Sequence, residues 1–186
     1  MKKLSFETTC IAVKSPRLPK AFDGFTLVHL SDLHNGSFGD GQKPLLEEIL
    51  HLRPDIIVVT GDLIDSEKYF HALTLIRGAA EIAPVFYATG NHEAHTAGYP
   101  RLEKEMAACG AHILRTYVKL TRKNSTILLA GADDPSFTPY RKTAAVMSEN
   151  LKSIQLDYDF FTILLSHRPD LIKVYAAFGF DVVLCG

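Results

Sequence analysis

Six polar side chains fall at points where an apolar run has just ended: Asp32 and His34, Asp62, Asn91 and His92, and His167. Carboxylate, imidazole and amide oxygen, with no thiolate among them, make a donor set that suits manganese, iron or zinc in a working site better than a closed structural zinc site. Asp32 and His34 are two apart, so in an extended chain both side chains point the same way and form a chelating pair. Gly61 and Gly90 stand immediately before Asp62 and Asn91, where glycine lets the backbone turn sharply and return the next side chain to a shared crevice. A set of this kind reads as a catalytic centre, not a structural one.

Taken singly these signals are weak, because Asp-x-His arises by chance, Gly-Asp after a strand is commonly a turn, and a lone histidine there commonly caps a helix. The ordered set Asp32-Leu33-His34, Gly61-Asp62, Gly90-Asn91-His92-Glu93 and Ser166-His167, each at a strand end, is far more specific than its parts.

Positioning these residues requires strands that deliver their ends to one edge. Four apolar, β-branched-rich runs read as buried strands, residues 25–30, 56–59, 84–88 and 161–165, with 181–184 as a fifth. Between them lie helical spacings: Leu45, Ile49 and Leu52; Leu73, Ile76 and Ala80; Leu102, Met106 and Cys109; Leu171, Val174 and Phe178. This alternation predicts an α/β fold with a parallel or mixed sheet, whose strand ends share the edge where ligands bind. Residues 5–14 read as a first strand, 15–20 as a proline-bracketed connector, and Asp23-Gly24 as a turn. Residues 117–121 and 126–130, around the polar turn 122–125, read as a hairpin extending the sheet.

On these blocks, the chain from Phe25 to Gly186 resembles the calcineurin-like metallophosphoesterases, whose signature runs D-x-H, G-D, G-N-H and a later lone histidine. Residues 15–19 (Ser-Pro-Arg-Leu-Pro), Gly24 and residues 31–35 narrow the likeness to a bacterial subgroup that often carries a membrane helix upstream. The resemblance implies an αββα sandwich and two divalent ions about 3.5–4 Å apart. It gives Asp32 and His34 to the first metal, Asn91 and His167 to the second, Asp62 to both, and makes His92 the group that stabilises or protonates the leaving oxygen. A hydroxide between the metals would attack phosphorus in line, hydrolysing phosphomono- or phosphodiesters. Arg168 beside His167 is a candidate to help neutralise the phosphate, with a surface arginine as the plainer alternative. The family's closing Gly-His-x-His block would begin at Gly186, so each metal is short of one histidine. We therefore expect a single domain over residues 1–186, C-terminally truncated and lacking the C-terminal part of the second sheet. The incomplete ligand set keeps a second class in play, a non-catalytic binding or scaffold protein of the same fold.

Composition narrows the field further. A chain of 186 residues, 47% hydrophobic and 22% charged, reads as one well-cored domain, and its formal net charge of −1 gives no global field to gather nucleic acid or an anionic membrane. Cys10, Cys109 and Cys185 are too scattered for a disulfide framework or a thiolate zinc site, which fits a reducing, cytoplasmic setting. Lys2 and Lys3 are followed by no signal-peptide core, and no apolar run approaches membrane-spanning length, although attachment of a longer protein to a membrane stays open. His92-Glu93-Ala94-His95 is one residue short of a zincin helix, and no phosphate-cradling glycine loop occurs. His29, His51, His71, His95 and His112 are assigned to core or solvent, with His51, His71 and His112 in helical or connector segments, and Asp65, Asp133 and Asp134 stay unassigned between turn, supporting and substrate roles. Lipid-linked, nucleotide and small phosphate esters all remain as substrates.

Overall fold

The structure, a computed structural model, describes residues 5–186; Lys2 and Lys3 lie outside them. Its first sheet holds β1 (Leu27–Leu30), β2 (Ile56–Thr60), β3 (Val85–Ala88) and β4 (Ala111–Ile113), all parallel and in that order. The second holds β5 (Tyr117–Arg122), β6 (Ser125–Gly131), β7 (Phe161–Leu165) and β8 (Val182–Leu184), antiparallel at β5 and β6 and parallel thereafter.

Side-chain alternation shows why both sheets are buried on two faces. Along β2, Ile56 and Val58 enter a core between the sheets with Phe86, Leu129, Ile163 and Leu165, whereas Ile57 and Val59 pack outward with helical residues. That outer layer is α1 (Lys43–Leu52), α2 (Phe70–Ile82) and α4 (Tyr99–Ala108), which contribute Ile49, Ile76 and Met106. On the far side, α5 (Thr143–Ile154) and α6 (Ile172–Phe178) bring Met147, Leu151 and Tyr175 against Ala130 and Leu164. The layers are therefore α, β, β, α, and strands covered on both faces read as continuous apolar runs.

Three expectations need correction. Residues 5–14 form no strand; every one is exposed, and the segment is held by the Phe6 ring against Phe38 and by the Thr8 hydroxyl on Glu48. A strand takes its hydrogen bonds from a neighbouring strand, and none among the described residues is paired with it. The hairpin β5–β6 starts the second sheet instead of extending the first, because Leu114, Val118 and Leu120 turn inward onto the core between the sheets. Two elements had not been foreseen: α5, whose Val146, Met147, Leu151 and Ile154 form its buried side, and the three-residue β4, which carries His112 in a strand, not a helix or connector.

Candidate metal centre

All parallel strands present their carboxyl ends to one edge, and four loops leaving that edge carry the polar residues. After β1 the chain turns left-handed, with φ of 55° at Asp32, 46° at His34 and 56° at Asn35. The period-2 argument for Asp32 and His34 therefore fails, since neither is extended. What aims them is a zipper of backbone bonds: Asp32, His34 and Asn35 donate their N–H groups to the carbonyls of Gly61, Asp62 and Leu63 at 3.2, 3.0 and 3.0 Å.

The second loop needs its glycine twice over. Gly61 has φ of +85°, and a Cβ there would collide with the backbone of Gly90. Gly90 itself has ordinary extended angles, φ −106° and ψ −172°, so it serves not as a turn but as space: a Cβ there would strike the carboxylate and amide of Asp62. The third loop enters a short helix, α3 (Asn91–His95), at whose start the N–H of His92 donates to Asp62 Oδ1 at 2.9 Å.

Two groups of ligand atoms result, and within each the atoms lie within 4.8 Å of one another: His34, Asp62 and His92 in one, Asp32, Asp62 and His167 in the other. Asp62, 4% exposed, belongs to both. The pairing implied by the resemblance stands beside this grouping: Asp32 Oδ1 is also 3.9 Å from His34 Nε2, while the ring centroids of His34 and His92 are 4.8 Å apart. Asn91 joins through its Oδ1, 3.2 Å from His167 Nε2.

Electrostatics fit a cation here. The Nδ1 of His167 lies 2.8 Å from the carbonyl of Thr60, to which it must donate, leaving Nε2 toward Asp62 Oδ2 at 3.2 Å. A ring that donates one nitrogen to a backbone carbonyl and turns the other toward the Asp62 and Asn91 oxygens is oriented as a metal-binding histidine would be, sharing an ion with those oxygens. Burial pulls the His167 pKa down, but the hydrogen bonds to Asp62 and Thr60 and the charges of Asp62 and Asp32 outweigh it and push it up to about 9. Asp62 is pushed up by burial too, yet the bonds from His167 and the His92 amide and the charges of both rings hold it below its ordinary value. Carboxylates and imidazoles converge here, and that donor set suits a divalent ion.

One residue of this site escaped the sequence reading. Glu93 is 1% exposed, and its carboxylate accepts the N–H groups of Asp62 at 2.9 Å, Gly90 at 2.7 Å and Ile64 at 3.2 Å. Its signal was available, because an acid three residues after a helix-starting residue can fold back onto the backbone before the helix. Other marked residues are supports. Asp65 receives the Asn35 amide at 2.9 Å, His95 Nδ1 meets the Asn91 carbonyl at 2.7 Å, and His29 Nε2 meets Thr60 Oγ1 at 2.6 Å. Asp133 accepts from Thr89 and Arg115, and Asp134 from Arg168. Gly186 donates its N–H to the His167 carbonyl, and a Cβ there would press on His167, Ser31 and Asp32.

Comparison with known proteins gives a consistent result. The family model described as calcineurin-like phosphoesterase matches residues 25–186. The metallophosphoesterase YkuE of Bacillus subtilis is 32% identical over 88% of this chain and 58% of its own length. A zebrafish (Danio rerio) protein described as a transmembrane protein with a metallophosphoesterase domain is 29% identical over 88% of the chain and 39% of its own length. The chain thus spans little more than half of the first relative and about two fifths of the second. Among solved structures, TT1561 of Thermus thermophilus superposes with a TM-score of 0.62 at 16% identity, covering 87% of this chain and 80% of that one, which shows the shared fold.

Proposed function

Because this chain belongs to the calcineurin-like phosphoesterase family, we propose that it is a metal-dependent phosphohydrolase of phosphomono- or phosphodiesters. The observation that carries this reading is the membership of Asp62 in both ligand groups, which places one buried carboxylate between two sets of donors. Asp32 and His167 with Asn91 would hold one ion, His34 and His92 the other side, with Asp62 shared. Manganese, iron and zinc all match these donors. Bound ions would supply Lewis acidity toward a phosphoryl oxygen and an acidified water.

The protein's own residues do the rest. His92, 43% exposed at its side chain and 3.8 Å from Asp62 Oδ2, stands where an imidazole could either complete the ligand group or hand a proton to a leaving oxygen. Burial of Asp62 and His167 keeps water from competing for the atoms that matter, while the exposed Asp32 and half-buried His34 open the site to substrate. Small and lipid-linked phosphate esters are the proposed substrates. Among the described residues no helix is long and apolar enough to cross a membrane; the zebrafish relative is described as transmembrane, and membrane association of a longer protein containing this domain is part of the proposal.

Hydrolysis of bis-p-nitrophenyl phosphate with added manganese tests the reading. Turnover that depends on manganese and vanishes in Asp62→Ala supports it; manganese binding without any turnover would favour the scaffold alternative.

A further inference from the structure

Arg168 follows His167 directly, on the loop after β7. Its carbonyl accepts the Tyr175 hydroxyl at 2.7 Å, and that hydroxyl also lies 2.8 Å from Ser166 Oγ, so the peptide is anchored beneath the loop. Its side chain is anchored as well. The Nε donates to Asp134 Oδ2 at 2.6 Å, and Nη2 donates to Asp134 Oδ1 at 3.1 Å and to Ser136 Oγ at 2.9 Å.

Asp134 is fixed in turn. It is 1% exposed, its amide donates to Thr89 Oγ1 at 2.9 Å, and its Oδ1 also takes the Ser136 N–H at 2.8 Å. Thr89 immediately precedes Gly90, so the acid that grips Arg168 is tied to the loop carrying Asn91 and His92. The arginine and its clamp, which sits on the loop after β6, join two of the loops that form the metal centre, those after β3 and β7.

A guanidinium offers five N–H donors in one plane. Three are engaged at Nε and Nη2, and the two on Nη1 find no partner among the described residues. Burial is lopsided: the Asp134 side chain is fully enclosed, whereas that of Arg168 keeps 28% of its surface in water. The preceding residue, His167, reaches Asp62 Oδ2 at 3.2 Å, which sets Arg168 one residue along the chain from the metal centre. A pre-positioned arginine with a free two-hydrogen nitrogen is suited to catch an anion, because the rotamer freedom lost on capture has already been given up.

We propose that Arg168 is the phosphate-binding side chain of this centre, its Nη1 donating to a non-bridging phosphoryl oxygen while Asp134 and Ser136 hold it in place. The inference rests on the phosphohydrolase reading and adds to it a protein-borne anion site beside the metals. It also sets a role for Asp134 as a positioning residue, acting through the arginine.

Arg168→Gln alone would leave Asp134 as a buried carboxylate without its cation, so the test uses Arg168→Lys and the double variant Asp134→Asn with Arg168→Gln, which removes both charges together. Binding of inorganic phosphate to the manganese-loaded protein is measured by titration calorimetry, beside manganese stoichiometry and KM for bis-p-nitrophenyl phosphate. The double variant is expected to bind phosphate about ten-fold more weakly with a matching rise in KM and unchanged manganese stoichiometry, and the lysine variant to fall between. Unchanged phosphate affinity and KM in the double variant would overturn the proposal while leaving the phosphohydrolase reading intact. Loss of manganese from the double variant would overturn it too, by making Arg168 a support of the metal loops. Wild-type protein that takes up no manganese and hydrolyses nothing would instead defeat the phosphohydrolase reading, and this inference with it.

Discussion

The carboxylate of Glu93 lies against the backbone of Asp62, taking its N–H at 2.9 Å while the same oxygen takes the N–H of Gly90 at 2.7 Å. One acid from α3 thereby locks the loop after β2 to the loop after β3, and so fixes the residue that both ligand groups share. Glu93→Gln turns one acceptor into a donor facing backbone donors, which should cost on the order of 1–3 kcal/mol per orphaned group. Thermal unfolding should then shift down by about 2–4 °C for each kcal/mol in a chain of this size. Manganese titration should show weaker binding in the same variant. Unchanged melting and unchanged affinity would remove Glu93 from the account.

Gly90 separates space from conformation. Its angles suit any residue, so Gly90→Ala should fold, yet the added methyl meets the Asp62 carboxylate and must displace it. Metal binding is expected to fall more than stability does, as read by comparing manganese titration with urea unfolding. Gly61→Ala carries both a positive φ and a backbone collision, and should lose stability outright.

The histidine at the centre sets a pH dependence. His167 is raised from 6.5 to about 9 in the folded chain, so its stabilisation is complete below pH 6.5 and drains away as pH rises through 9. Asp62 is shifted the other way, and its contribution disappears only as pH falls through a folded value below 3.8. The metal-free chain should therefore lose urea resistance between pH 6.5 and 9. Proton and cation compete for the same Nε2, so manganese affinity should rise over that window. Flat unfolding midpoints and flat affinity from pH 6.5 to 9 would refute the coupling.

Much of this was legible in the sequence for one physical reason. Strands buried on both faces are apolar along nearly their whole length, as residues 56–59 of β2 are, so the polar residues that follow each run stand out. That contrast revealed Asp62 and His167 and, with the family blocks, the matched family. The division into two sheets was hidden, because nothing local distinguishes a hairpin that extends a sheet from one that crosses to face it. The left-handed turn at Asp32 and His34 was hidden too, since its cause is the backbone of residues 61–63, far away in sequence. β4 is too short to show a period, and the polar residues within α5 dilute the spacing of its buried side. Glu93 stood inside the Gly90–Glu93 block without a role, because the backbone N–H groups it accepts come from residues 62 and 64 as well as its neighbour Gly90.

The central claim is that Asp62 serves two cations at once. Manganese stoichiometry measured by calorimetry on the wild-type chain and on Asp62→Asn, with bis-p-nitrophenyl phosphate hydrolysis followed in the same samples, addresses it most directly. Two manganese ions per chain in the wild type, fewer in the variant, and turnover present only in the first are the predicted results. Equal stoichiometry in both proteins, or turnover that survives in Asp62→Asn, would contradict the claim.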